Sequence, residues 1–467
     1  MDTYDLVVIG SGAGLIVAEQ AVEHGRRCAL VERAKMGGTC LTKGCIPSKM
    51  LVFPADYIRE TERADRFGVK ARQPDIDWNT IAARMWEQIN FSDTIRKNFE
   101  KLDNLTLYSG TGSFIDPYTL VIRYGGEKPD DIIKGKQFII AAGARSFVPE
   151  IEGLEEAGYL TSERFFTDRF PHAPWKHLAL YGGGSISLEF AHIFSAYGSK
   201  VTIIERSGRV LKKEDEDISA FVTRQLLRNG VEIITDGSID QVKTEGTQKY
   251  VRVKGPTGTY RDIVCDELFI ASGIRSNADS LALGRAGVAA DARGWIMTNA
   301  YLETSKPHIF AIGDINGKTQ LRHKANYEAQ LLCDNLFKNK QRIPADYNAI
   351  PRAVFTCPQI AGVGFTESEL KEKGIAYRSA VQRYSDVVAG RAMGYRGEDD
   401  DDGFVKALVG EDDRILGAHI AGPQAAALIQ PYVNLMRTGG TYDAVLDSLV
   451  IHPSLNELTA WVFEYME

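Results

Sequence analysis

The chain has 467 residues, 44% of them hydrophobic and 25% charged, with a formal net charge of −7. That length calls for two to four domains, and the composition is that of an ordinary globular protein. The acidic balance excludes general binding to nucleic acid or anionic membranes, and no apolar run is long enough to span a bilayer.

Six cysteines in so long a chain do not form a disulfide framework. Met1–Asp5 lacks a basic region ahead of its apolar segment, so no signal peptide is read and a cytoplasmic protein is expected. Leu6–Ile9 predicts a buried parallel strand, followed by the turn Gly10-Ser11-Gly12-Ala13-Gly14 and a helical pattern to about His24. A second strand, Cys28–Val31, ends at Glu32. Strand, glycine turn, helix, strand and acid make up the dinucleotide-binding βαβ unit. The glycines bring the backbone up to a pyrophosphate at a helix N-terminus, and Glu32 can hold a ribose diol. The third glycine of the fingerprint falls at Leu15.

Next comes Gly37-Gly38-Thr39-Cys40-Leu41-Thr42-Lys43-Gly44-Cys45-Ile46-Pro47-Ser48-Lys49. Five residues along an ideal helix put two Cα atoms roughly 8–9 Å apart, whereas a disulfide needs about 4.4–6.8 Å. Cys40 and Cys45 can therefore pair only across a distorted turn, and Gly37, Gly38 and Gly44 give the backbone that freedom. Pro47 suits the first turn of a following helix, whose dipole favours a thiolate at Cys45. Two inert core cysteines are the plainer reading of such a pair. A metal site lacks a second cysteine pair, because Cys28, Cys265, Cys333 and Cys357 are scattered singly. The surrounding pattern favours a redox-active dithiol.

Residues 50–105 read as amphipathic helix, with Trp78 and Trp86 as core rather than a ligand cage. Short strands follow between Leu105 and Leu120, then the apolar run Phe138–Ala144, a strand that ends beside a bound dinucleotide. A second βαβ unit has the strand Leu178–Tyr181, the turn Gly182-Gly183-Gly184-Ser185-Ile186-Ser187, a helix Leu188–Tyr197 and the strand Lys200–Ile204, closed by Glu205. Ser187 replaces its third glycine. Two such units in one chain mean two dinucleotides. Glu205 accepts a ribose 2′-hydroxyl and repels a 2′-phosphate, so NAD is expected, although Arg206 can accommodate NADP. Ile309–Asp314 reads as a strand delivering a carboxylate at its C-terminal end, or as a turn in which Asp314 caps. The final ~120 residues predict an α+β unit without a nucleotide fingerprint. There Glu398-Asp399-Asp400-Asp401-Asp402-Gly403 reads as a solvated hairpin tip, and His452 and Glu457 lie five apart around Pro453.

In order and spacing, over essentially the whole chain, these segments resemble the flavin-dependent pyridine nucleotide–disulfide oxidoreductases. The likeness is greatest to the dihydrolipoamide dehydrogenase and mycothione reductase branches, the latter through Gly37–Met50, Ser276–Asp279, Phe355–Gly364 and Gly417–Gln430. The resemblance implies an α/β fold with two Rossmann-like dinucleotide-binding domains and a C-terminal α+β dimerisation domain. The expected division is an FAD domain over 1–150, an NAD(P) domain over 151–278, a central segment over 279–347 completing the FAD site, and an interface domain over 348–467. FAD is expected on Gly10, Gly12, Gly14, Glu32, Lys49, Gly143 and Asp314, and NAD on Gly182, Gly184, Glu205, Arg206 and Gly273. By the same resemblance Cys40 is the interchange thiol, Cys45 the thiol against the flavin, and Lys49 and Glu189 an ion pair beside the flavin ring. His452 and Glu457 form the acid–base dyad, delivered across the interface of a homodimer.

Ile274 and Ser276 depart from the arginine and proline common in the family. Mercuric reductases resemble this core but carry a C-terminal cysteine pair, and this chain ends Phe463-Glu464-Tyr465-Met466-Glu467. The expected reaction is oxidation of a dithiol, dihydrolipoamide or a lipoyl domain, by NAD. The alternative is reduction of a low-molecular-weight disulfide by NAD(P)H. A non-catalytic flavin sensor or complex subunit is the reading from another class.

Overall fold

Strand Asp2–Ile9 pairs in parallel with Cys28–Val31 on one side and Asp131–Ile140 on the other, and Leu105–Tyr108 extends the sheet past Cys28–Val31. The computed structural model from which these pairings come describes residues 1–72, 74–338, 340–397 and 401–466. Val7 and Val8 are wholly buried, as a strand covered on both faces requires. Far along the chain, Ile309–Ala311 joins the same sheet beside Phe138–Ile140. A second parallel sheet has the order Glu232–Ile234, Lys200–Ile204, His177–Tyr181, Glu267–Ile270. A two-stranded ribbon, Ala144–Ser146 against Ile274–Ser276, joins the two units. The C-terminal unit is a five-stranded antiparallel sheet whose core includes Tyr432 and Leu458 of the covering helices. No helix among the described residues is long and apolar enough to cross a membrane.

The two parallel sheets use one device twice. Gly10 (φ +103°) lies so close to the next strand that a Cβ there would sit 2.4 Å from the Ala141 carbonyl oxygen. Gly182 (φ +116°) meets the Ala271 carbonyl at the same 2.4 Å. Two residues beyond each alanine, Gly143 and Gly273 also take left-handed backbone and face open space.

Four expectations change. Gly14, not residue 15, makes the close helix–strand contact: a Cβ on it would come 2.7 Å from Val8 Cγ1, while Leu15 packs only partly. The second nucleotide helix, Ser185–Ala196, begins inside the expected turn, with Ser187 fully buried in it. Asp314 lies on a short turn, Gly313–Asn316, just past strand Ile309–Ala311, as a carboxylate beyond the strand's end whose side chain makes no capping hydrogen bond. The acidic run is not a solvated tip where it is described. Glu398–Asp400 lie outside the described residues, but Asp402 is buried, accepts hydrogen bonds from Ser385 N and Oγ, and has its carboxyl pushed up by burial. Asp401 pairs with Arg228 at 2.9 Å. The two tryptophans are core: Trp78 stacks on Phe170 at 5.2 Å, and Trp86 meets the same ring edge-on.

Lys406, buried in the C-terminal sheet, ties that unit to the second dinucleotide unit. Its Nζ donates to Asp215 (3.0 Å), Asp217 (2.7 Å) and Glu367 (2.6 Å). The Lys406 hydrogen bond is the main reason the Glu367 carboxyl is held down to about 2. Lys406→Met should lower stability by about 3–5 kcal/mol, because Asp215 would stay buried without its cation. Urea unfolding at the parental midpoint would contradict this.

Candidate redox-active site

Helix Gly38–Thr42 carries Cys40, and a second helix, Cys45–Glu62, begins at Cys45 with Pro47 in its first turn. Between them Gly44 (φ −150°, ψ −112°) breaks the path, which is the distorted turn the five-residue spacing demands. Both cysteines are free thiols that act on each other's ionisation. The Cys40 thiol, with help from the Lys49 charge, pulls the Cys45 thiol down to about 7. Cys45, then burial, pushes the Cys40 thiol up. Near neutral pH the negative charge therefore rests on Cys45, at the helix N-terminus.

The first glycine turn holds this segment in place. A Cβ on Gly38 (φ +66°) would sit 2.7 Å from Gly12 Cα, so the two backbones touch. Ser11 Oγ accepts from Gly37 N (3.0 Å) and donates to Glu32 (2.7 Å), while Ser11 N and Ala34 N donate to the same carboxylate at 2.8 Å. Gly143 faces open space and a Cβ on Gly12 would meet only the Arg322 guanidinium within 4 Å, which leaves room suited to a pyrophosphate and its neighbouring groups. Asp314, its carboxyl raised by burial, is carried by a network that sequence reasoning missed. Lys324 Nζ donates to Gly313 O (2.9 Å), Asn316 Oδ1 (3.0 Å) and Glu328 (3.1 Å). Glu328 in turn accepts from Gly313 N, Asn316 Nδ2 and Tyr347 OH. The Lys324 and Glu328 side chains are wholly buried; their four-residue spacing was the one available signal.

The second glycine turn is built like the first. Glu205 accepts from Gly183 N and from Ser207 N and Oγ (2.7 and 2.6 Å). The space around Gly184 and Gly273 is open, and Arg206 is exposed.

Helices Cys45–Glu62 and Ser185–Ala196 pack along a polar seam. Lys49 Nζ lies 2.6 Å from Glu189, whose other oxygen accepts from Phe355 N (3.1 Å). Lys49 also sits 4.4 Å from the centre of the Phe355 ring, so this pair joins all three units. Further along, His192 Nε2 meets Asp56 at 2.7 Å and Arg59 donates to Ser195 Oγ at 2.8 Å. Those last two pairs were not foreseen, because their members are about 136 positions apart.

His452 Nδ1 bonds to Glu457 at 2.6 Å, and Ser454 N donates to the second Glu457 oxygen at 3.1 Å. Glu457 is buried, but His452 is 63% exposed and follows Leu449 and Ile451, whose apolar side chains are also exposed. One chain thus displays the histidine on its surface, with Nδ1 held from beneath by the buried Glu457.

The family model described as pyridine nucleotide-disulphide oxidoreductase matches residues 4–329, and that family's dimerisation domain matches residues 350–463. The chain is 31% identical to a dihydrolipoyl dehydrogenase of Chlamydia muridarum, over 98% of this chain and 96% of the relative. It is 33% identical to a mycothione reductase of Mycobacterium tuberculosis, over 98% of each. The HOCl-induced flavoprotein disulfide reductase RclA from Escherichia coli superposes with a TM-score of 0.86 at 28% identity, covering 99% of this chain and 100% of that one. The chain belongs to the pyridine nucleotide–disulfide oxidoreductases, a family that binds FAD, uses NAD(P)H and has a dimerisation domain.

In the FAD-loaded, dithiol-reduced protein, the visible absorbance of a thiolate against oxidised flavin should grow in as pH rises through about 7. Lys49→Met should move that midpoint upward, since the Lys49 charge favours the thiolate. A parental midpoint near the ordinary thiol value of about 8.5 would contradict the assignment.

Proposed function

We propose that this pyridine nucleotide–disulfide oxidoreductase works as a cytoplasmic, homodimeric dihydrolipoamide dehydrogenase, converting dihydrolipoamide and NAD+ to lipoamide, NADH and a proton. The observation that carries the reading is Glu205, whose carboxylate closes the second glycine turn where an acid takes a ribose 2′-hydroxyl and repels a 2′-phosphate. NAD is the acceptor that dithiol oxidation needs. We divide the chain as expected from its sequence, with the FAD domain over 1–150, the NAD domain over 151–278, the central segment over 279–347 and the interface domain over 348–467.

In the oxidised enzyme Cys40 and Cys45 form a disulfide. One substrate thiol gives its proton to His452 of the partner subunit, and its sulfur attacks Cys40 Sγ, expelling Cys45 as a thiolate. The partner's His452 returns that proton to Cys40 as it departs and takes the proton of the second substrate thiol, whose sulfur attacks the substrate sulfur of the mixed disulfide to form lipoamide. Glu457 holds the imidazole by Nδ1 and stabilises its charged form. Lys49, oriented by Glu189, keeps a positive charge beside the Cys45 thiolate. When bound, FAD would supply the two-electron path between the dithiol and NAD+. Gly10, Gly12, Gly14, Glu32, Gly143 and Asp314 would hold FAD; Gly182, Gly184, Glu205, Arg206 and Gly273 would hold NAD.

A second reading runs the same steps backward, as an NAD(P)H-dependent reductase of a low-molecular-weight disulfide. It draws on the 33% identity to mycothione reductase and on the exposed Arg206 beside Glu205. An intact dithiol and dyad argue against a retired flavin sensor.

Anaerobic mixing with dihydrolipoamide and NAD should yield NADH rapidly, and Cys40→Ser should abolish it. Slow turnover, with prompt oxidation of NADH or NADPH by another disulfide, would favour the second reading. Glu205→Ala should shift the NAD-over-NADP preference by roughly tenfold toward NADP; unchanged selectivity would remove that residue from the argument.

A further inference from the structure

Arg322 opens the helix Arg322–Cys333, and no role has been given to it above. A methyl group placed on Gly12 would have only one other group within 4 Å, the Arg322 guanidinium, with Nη1 at 3.8 Å. The other side of Gly12 is closed by the backbone of Gly38, two residues before Cys40. The same guanidinium acts electrostatically on both Cys40 and Asp314. It is half-buried, and among the described residues it has neither a hydrogen-bond acceptor nor a carboxylate partner. The neighbouring cation is accounted for, because Lys324 is committed to Gly313, Asn316 and Glu328. Glu32 is likewise committed to Ser11 and Ala34. A cation left without a partner at the mouth of a phosphate-binding turn calls for an anion from outside the chain, and arginine matches phosphate with a planar fork.

We propose that Arg322 is a further FAD-binding residue: its guanidinium grips the FAD pyrophosphate above the Gly10–Gly14 turn. The inference rests on FAD occupying the first unit. Cofactor retention and Cys40 ionisation then share one side chain. The charged groups acting on Cys40 are Cys45, Arg322 and Lys49. Lys49 serves Cys45 as well, which leaves Arg322 as the cation that distinguishes Cys40.

The test compares parental, R322M and R322K holoenzymes. FAD release is followed by flavin fluorescence, and the pH midpoint of Cys40 alkylation is measured in the dithiothreitol-reduced protein. R322M should release FAD roughly 10- to 100-fold faster, the scale of a charged hydrogen bond. Its Cys40 midpoint should rise, and R322K should restore part of both. Parental FAD release in R322M overturns the proposal. So does equal damage in R322M and R322K with matching losses of thermal stability, which is what mere structural support would give. A parental protein that holds no FAD would remove the cofactor reading itself, an outcome distinct from an R322M that holds FAD normally.

Discussion

The contact on which the site depends is between two glycines. A Cβ on Gly38 would sit 2.7 Å from Gly12 Cα, so the two backbones approach this closely only because residue 38 carries no side chain. One belongs to the turn shaped for a pyrophosphate, and the other opens the helix that carries Cys40. The dithiol segment is thereby fixed relative to the first glycine turn. Ser11 and Glu32 reinforce the same junction through hydrogen bonds to Gly37 and Ala34. The break at Gly44 then lets Cys45 start a new helix, so the thiol most in need of negative charge sits where the helix dipole and Lys49 favour it.

The other units are docked onto this junction by buried polar groups rather than by apolar area alone. Lys49 and Glu189 reach Phe355, Asp56 reaches His192, and Lys406 gathers three carboxylates from two units. Such pairs bring little net stability compared with apolar packing of the same volume, because desolvation offsets most of their attraction. Their geometry is directional, however, and they permit one arrangement of helices where greasy surfaces would permit several. Within the Asp314 turn, Lys324 and Glu328 play the same part on a smaller scale.

Local chemistry made much of this legible in the sequence. Both βαβ units, the break between Cys40 and Cys45, and the pairs Lys49–Glu189 and His452–Glu457 could be read because glycines, strand periodicity and family order mark them. The repeated contact of Gly10 with Ala141 and Gly182 with Ala271 could not, since it joins positions whose only link is the closing of a sheet. The same holds for His192 and Lys406, polar residues on a helix and a strand whose partners arrive from elsewhere in the chain. Asp402 misled for the opposite reason: a run of acids looks solvated, yet its last member is sealed by Ser385. Leu15 misled because the fingerprint counts positions, whereas packing needs only a missing Cβ facing Val8, which Gly14 provides.

The chemistry assigned to the dithiol requires a base that a single chain holds on its surface. His452 is exposed and held by Glu457, so the account needs it to act on the partner subunit's thiol. The most direct measurement uses dimers with one Cys40→Ser chain and one His452→Gln chain, each inactive as its own homodimer. Action across the interface predicts that the mixed dimer recovers about half of the parental activity, because one site again has both groups. A mixed dimer as inactive as its parents would place thiol and base in the same chain and contradict the account.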